Sequence, residues 1–193
     1  MKIVAAIITR VYSVAVVVFG AMGLSYPSVA ATISQDEITV YKTVLASWFD
    51  GRPQQQLVDY HLAAPPSAAD PALLECTKAL HFAGNSPPDQ NQKSLVGADF
   101  EGSGVTLIDG SRWNPNDPGR AIANGELVGA AVNDGIAHSL ISFSQIAFSD
   151  DGKDALVKFS MVCGHLCGTG STIHLHKSET EWKVINRCSG WIS

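Results

Sequence analysis

Four runs near the carboxyl end decide the fold: Leu140-Ile-Ser-Phe-Ser-Gln-Ile-Ala-Phe148, Ala155-Leu-Val-Lys-Phe-Ser-Met-Val-Cys163, Ser171-Thr-Ile-His-Leu-His-Lys177 and Glu181-Trp-Lys-Val-Ile-Asn-Arg-Cys188. Each has strand composition. Asp150-Asp151-Gly152 and Ser178-Glu179-Thr180 part the outer pairs with hairpin chemistry. The runs predict an antiparallel four-strand meander. In the second run Ala155, Val157, Phe159, Met161 and Cys163 share one side, and all are apolar. In the third, Ile173 and Leu175 oppose Thr172, His174 and His176. In the fourth, Trp182, Val184 and Cys188 lie opposite Glu181, Lys183 and Arg187. One face of such a sheet must be covered.

The cover is expected from helices nearer the amino end. Ser34-Gln-Asp-Glu37 is a capping box. Ile38, Tyr41, Leu45, Trp48 and Phe49 follow at helical spacing, and Gly51-Arg52-Pro53 ends the run. Residues 56–62 read as a short strand. Asp70 and Pro71 pair as cap and first residue of a second helix reaching about Phe82, with Leu73, Cys76, Thr77 and Leu80 on one face. Residues 104–109 have strand character and 121–133 are weakly helical. The fold class is α+β, with N-terminal helices packed on one face of a C-terminal antiparallel four-strand meander.

The first 30 residues read as a signal peptide. Lys2 and Arg10 precede the uncharged run from Val14 to Leu24, and Ser28-Val29-Ala30 suits cleavage after Ala30, with Ala31 the second choice. As a membrane anchor the segment would carry Arg10 inside it, at roughly 2.5–3.5 kcal/mol if central. Residues 31–193 then form a single domain, exported to the periplasm or beyond, with no stable membrane anchor after cleavage. Cleavage removes two of 13 basic residues and none of 18 acidic ones, taking the formal charge from −5 to −7. That acidity disfavours nucleic acid as a partner.

Export changes the reading of the cysteines. Cys76, Cys163, Cys167 and Cys188 are four in number, which in an exported chain reads as two disulfides. Face assignments favour Cys76 with Cys188 and Cys163 with Cys167, while Cys163 with Cys188 also fits the faces. The alternative is a metal-binding or thiol-dependent site centred on residues 163–176, drawn from Cys163, Cys167, His174 and His176. Its Cys-x3-Cys and His-x-His spacing departs from common zinc sites. The two histidines also lie on the polar side of their strand, away from Cys163. His165 could depress a neighbouring thiol pKa, but a core-facing Cys163 would be inaccessible.

Other candidates are weaker. Asn114-x-Asn116-x-Pro118 resembles a calcium loop only faintly, because Pro118 replaces a ligand and Gly125 stands where the closing glutamate belongs. Gly168-Thr-Gly170 lacks the lysine of a phosphate loop. Ser139, Ser142 and Ser144 do not sit in a nucleophile elbow. His61 and His81 read as structural, and Asp59 with His61 as a solvated edge. Trp48, Trp113, Trp182 and Trp191 are not sorted into core and interface.

Ser144-Gln-Ile-Ala-Phe-Ser149, Ala155-Leu-Val157, Cys163-Gly-His-Leu-Cys-Gly-Thr-Gly170 and Trp182-Lys-Val184 before Trp191 give the last ~55 residues a resemblance. They resemble the carboxy-terminal part of a family of uncharacterised bacterial exported proteins with a Cys-Gly-x-Leu-Cys-Gly-x-Gly motif. The resemblance implies export and transfers no activity and no catalytic residue. The position of His165 is not characteristically histidine in that family, which counts against a ligand role. The expectation is a non-catalytic, disulfide-stabilised exported protein that binds a protein or small molecule, or serves the envelope. No cofactor is implied.

Overall fold

The computed structural model describes residues 32–49, 55–67, 70–74, 93–165 and 167–193. The signal segment, Cys76 and most of the second expected helix lie outside them. Helix α1 (Gln35–Trp48) starts at its capping box: the Glu37 amide donates to Ser34 Oγ at 3.2 Å, and the Ser34 amide donates to Glu37 Oε2 at 2.8 Å. Ile38, Tyr41, Val44 and Leu45 bury one face of it.

The sheet is larger than a meander. Its strands are β1 (Gln56–Asp59), β2 (Val105–Ile108), β3 (Leu140–Phe143), β4 (Ala147–Phe148), β5 (Asp154–Gly164), β6 (Cys167–Ser178) and β7 (Glu181–Ile192). They form one mixed seven-stranded sheet in the order β2-β1-β3-β5-β6-β7, with β4 also paired to β5. Neighbours from β3 to β7 pair antiparallel. The expected four-strand meander is corrected in two ways. β1 joins the free side of β3 in parallel and carries β2, also parallel, beyond it. The first run also breaks into β3 and β4, where the Ser144 hydroxyl, not a carbonyl, accepts the Lys158 amide at 2.9 Å.

The faces are corrected as well. Residues directly opposite in a ladder share a face. Ala155, Val157 and Phe159 face α1 with Ile173, Leu175, Trp182 and Val184. Beyond Val184 the register shifts, because Ile185 is an extra residue in β7, and it shifts again at Ser189. Each bulge inverts the alternation. Arg187 therefore opposes Ile173 and faces α1, its guanidinium 4.5 Å from the Trp48 ring centroid. Cys188 opposes Thr172 on the other face, not with Trp182 and Val184 as the alternation predicts.

Helix placement follows suit. Among the described residues, α1 covers the Trp182 face. Its first turn is tied down by Asp36, which accepts from Lys177 Nζ at 2.8 Å and Trp182 Nε1 at 3.0 Å. Asp70 and Pro71 do start a turn, with the Ala72 amide donating to Asp70, but residues 70–74 lie against the opposite face. The weakly helical stretch becomes α2 (Pro118–Ala123) and α3 (Val128–Ala137), parted where Gly125 takes φ 96°. No helix among the described residues is long and apolar enough to cross a membrane.

Two measurements test these anchors. Burial works to raise the Glu37 pKa, but the Lys93 ammonium at 2.9 Å and the Ser34 donors outweigh it and hold the carboxyl below its usual range. A carboxylate depressed in the folded state contributes stability above its unfolded pKa and loses it as pH falls through the folded value. Urea midpoints followed from about pH 7 to about pH 3 should therefore fall more steeply for the natural chain than for Glu37→Gln. Tyr41 is fully buried and donates to the Ser144 carbonyl at 3.0 Å. Burial and the nearby Glu37 charge push its pKa far up, so it remains a donor. Tyr41→Phe strands that carbonyl and should cost about 1–3 kcal/mol in equilibrium unfolding.

Candidate binding site

The site grows from one cross-strand row on the face away from α1. Ser142 opposes Ser160, Ser160 opposes Gly170, and Gly170 opposes Trp191. Where β6 has no side chain, the indole from β7 lies across it. A Cβ on Gly170 would stand 2.5 Å from Trp191 Nε1, and one on Gly168 would stand 3.2 Å from the far edge of the ring. The two glycines of Cys167-Gly-Thr-Gly are thus the bed of an aromatic ring. Trp191 keeps 47% of its surface exposed.

The next row holds Lys158 opposite Thr172. Residues 63 and 70, from the segment that follows β1, form the opposing wall. The resulting cleft has a volume of about 480 Å³ and is lined by Trp191, Lys158, Asp70 and the hydroxyl residues Ser142, Ser160 and Thr172. The floor is tied to the core: Tyr41 donates to the Ser144 carbonyl beneath one end, and Trp48 packs on Phe159 at 4.5 Å between ring centroids. The Lys158 ammonium makes no ion pair among the described residues, and Asp70 has one oxygen engaged by the Ala72 amide. The cleft therefore offers an open aromatic surface, hydroxyls, one free cationic donor and one carboxylate acceptor. Among the described residues no histidine or cysteine lines it.

The residues expected to carry chemistry go elsewhere. Cys163 and Cys167 are bonded to each other across the β5–β6 turn, with Cα atoms 5.1 Å apart. Cys188 is disulfide-bonded too. His174 and His176 sit seven and nine residues along β6 from Cys167, roughly 23 Å or more at strand rise. The structure does not bring the four together. Both histidines instead meet Asp154, whose Oδ1 lies 2.8 Å from His174 Nε2 and 3.0 Å from His176 Nδ1. His174 is buried although it stands on the polar side of its strand, because Asp154 satisfies it. No group of three or more His, Cys, Asp or Glu among the described residues is arranged to hold a metal ion.

His165 is exposed, 3.9 Å from Asp117. Asp59 accepts from the His61 amide and from Nδ1, both at 3.0 Å, and from the Gly110 amide. A Cβ on Gly110 would collide with that carboxylate. Asp109 stands beside them, held below the usual carboxylate range by the hydroxyl and amide of Ser111. The group ties the ends of β1 and β2 together. Asn116 spends its amide on Asp134 at 2.9 Å.

Sequence reading missed the cleft because its residues come from four strands and a crossing segment. The available signal was the Gly-Thr-Gly spacing, which vacates alternate positions on one face. Gly170→Ala forces the indole off β6. It should shift the tryptophan emission and cost about 1–3 kcal/mol of unfolding free energy, whereas Thr169→Ala, one residue away, should do neither. Compared with known proteins, the chain matches no protein-family model, no curated protein and no solved structure.

Proposed function

We propose that this chain is an exported, non-catalytic binding protein that holds a small molecule in the Trp191 cleft. On this reading residues 1–30 are a cleaved signal peptide, and residues 31–193 work in the periplasm or outside the cell. Two disulfides, Cys163–Cys167 and Cys76–Cys188, stiffen the domain. The observation that carries the reading is the cleft itself, an exposed indole and unspent polar groups on a floor of paired strands. Ligand sites have this form, with apolar surface fixing affinity and a few polar groups fixing orientation. Bonded cysteines support export, since disulfides persist in oxidising compartments. The bacterial exported family that the last ~55 residues resemble agrees with it.

The competing reading is a metal or thiol enzyme centred on residues 163–176, and two sets of contacts speak against it. Cys163 and Cys167 hold each other, and His174 and His176 hold Asp154.

Intact-mass analysis of the protein purified from its expression host without reductant tests the proposal. The chain should begin at Ala31, or at Thr32 if the second cleavage choice is used. It should weigh four hydrogens less than the fully reduced sequence, matching its four cysteines, and take up no alkylating reagent. A retained leader, or two free thiols with stoichiometric zinc on the same sample, would overturn it.

A further inference from the structure

We infer that the cleft's ligand is a neutral saccharide, bound with one pyranose ring laid on Trp191; this rests on the binding reading above. The argument is one of elimination by chemistry. The floor mixes an open aromatic face with hydroxyls at Ser142, Ser160 and Thr172, and Thr172 keeps only 4% of its surface. A purely apolar ligand would cover those hydroxyls without satisfying them, at about 1–3 kcal/mol for each group left unpaired. A small inorganic anion would leave the indole wet and would meet the Asp70 carboxylate. Nucleic acid is opposed by the charge of the mature chain.

A ligand that suits every wall needs one apolar face and a polar rim. A pyranose ring has that build. Its axial C–H bonds, slightly positive, lie against the negative face of the indole. Its equatorial hydroxyls point sideways, as both donors and acceptors. Asp70 accepts from such hydroxyls, the unpaired Lys158 ammonium donates to them, and the serine and threonine hydroxyls do either. A cleft of about 480 Å³ falls within the usual range for small-molecule sites and accommodates a sugar ring with its neighbour. Gly168 and Gly170 are needed because the indole has to lie flat to present its open face. A tilted ring would offer an edge, which stacks poorly on C–H groups.

The test is calorimetric titration of the mature protein, residues 31–193, with two sets of probes. The first is cellotriose, maltotriose, xylotriose and chitotriose. The second is the dipeptide Ala-Ala, benzoate and indole-3-acetate. At least one trisaccharide should bind and shift the tryptophan emission. Trp191→Ala should weaken that binding at least about tenfold, and Ser160→Ala and Lys158→Met should weaken it less. Trp191→Phe should recover part of it. Thermal unfolding of each variant, followed by circular dichroism, shows that it is folded, and Ser160→Ala serves if Trp191→Ala is not. If only the second set binds, and does so through Trp191, the saccharide assignment is overturned and the binding reading stands. If neither set binds, both fall. If a trisaccharide binds Trp191→Ala and Ser160→Ala as well as the natural chain, the placement in this cleft is wrong.

Discussion

Two extra residues in the last strand govern what every later side chain meets. Ile185 and Ser189 each add a residue to β7 that β6 does not match. Between them the alternation is inverted, and after the second it is restored. Arg187 is thereby delivered to α1, where it covers Trp48, and Cys188 is delivered to the opposite face. Trp191 lies beyond both bulges and returns to the face that the plain alternation gives it. The cation on α1 and the placement of one cysteine follow from these two insertions, and the pairing of Trp191 with Gly170 follows from their sum.

The two faces of the sheet do different work. The α1 face is a conventional core of Tyr41, Phe143, Phe159, Ile173 and Leu175, with Asp36 and Tyr41 as polar anchors at either end. The other face is hydroxylated and, among the described residues, partly covered. Buried polar groups there are satisfied where they are not needed for a ligand, as Asp154 satisfies His174 and His176. Where the cleft opens, the exposed Lys158 makes no ion pair among the described residues. Residues conspicuous in the sequence, among them His174, His176, Cys163 and Cys167, turn out to fasten the frame, whereas a lysine, an aspartate, several hydroxyl residues and Trp191 line the cleft.

How far the sequence could be read depended on the range of each interaction. The capping box at Ser34 and Glu37, the turns at Gly152 and Glu179, and the disulfide across the Cys163–Cys167 turn are local, and local chemistry is written in adjacent residues. The α+β class followed from summed periodicity. The position of β1 did not, because four residues, Gln56–Asp59, cannot specify which edge they will join or in which direction. The bulges at Ile185 and Ser189 carry no composition that marks them in advance. The cleft was illegible for both reasons, being assembled from register.

The same insertions bear on how the molecule meets copies of itself. β7 is twelve residues long and ends the sheet among the described residues. A straight strand of that length would present an unbroken ladder of amides and carbonyls, an open template for another chain. Ile185 and Ser189 throw that ladder out of step twice, and Lys183 and Arg187 place charge along it. A second molecule finds no uninterrupted run to copy, and the boundary of the sheet is defended by its own irregularity.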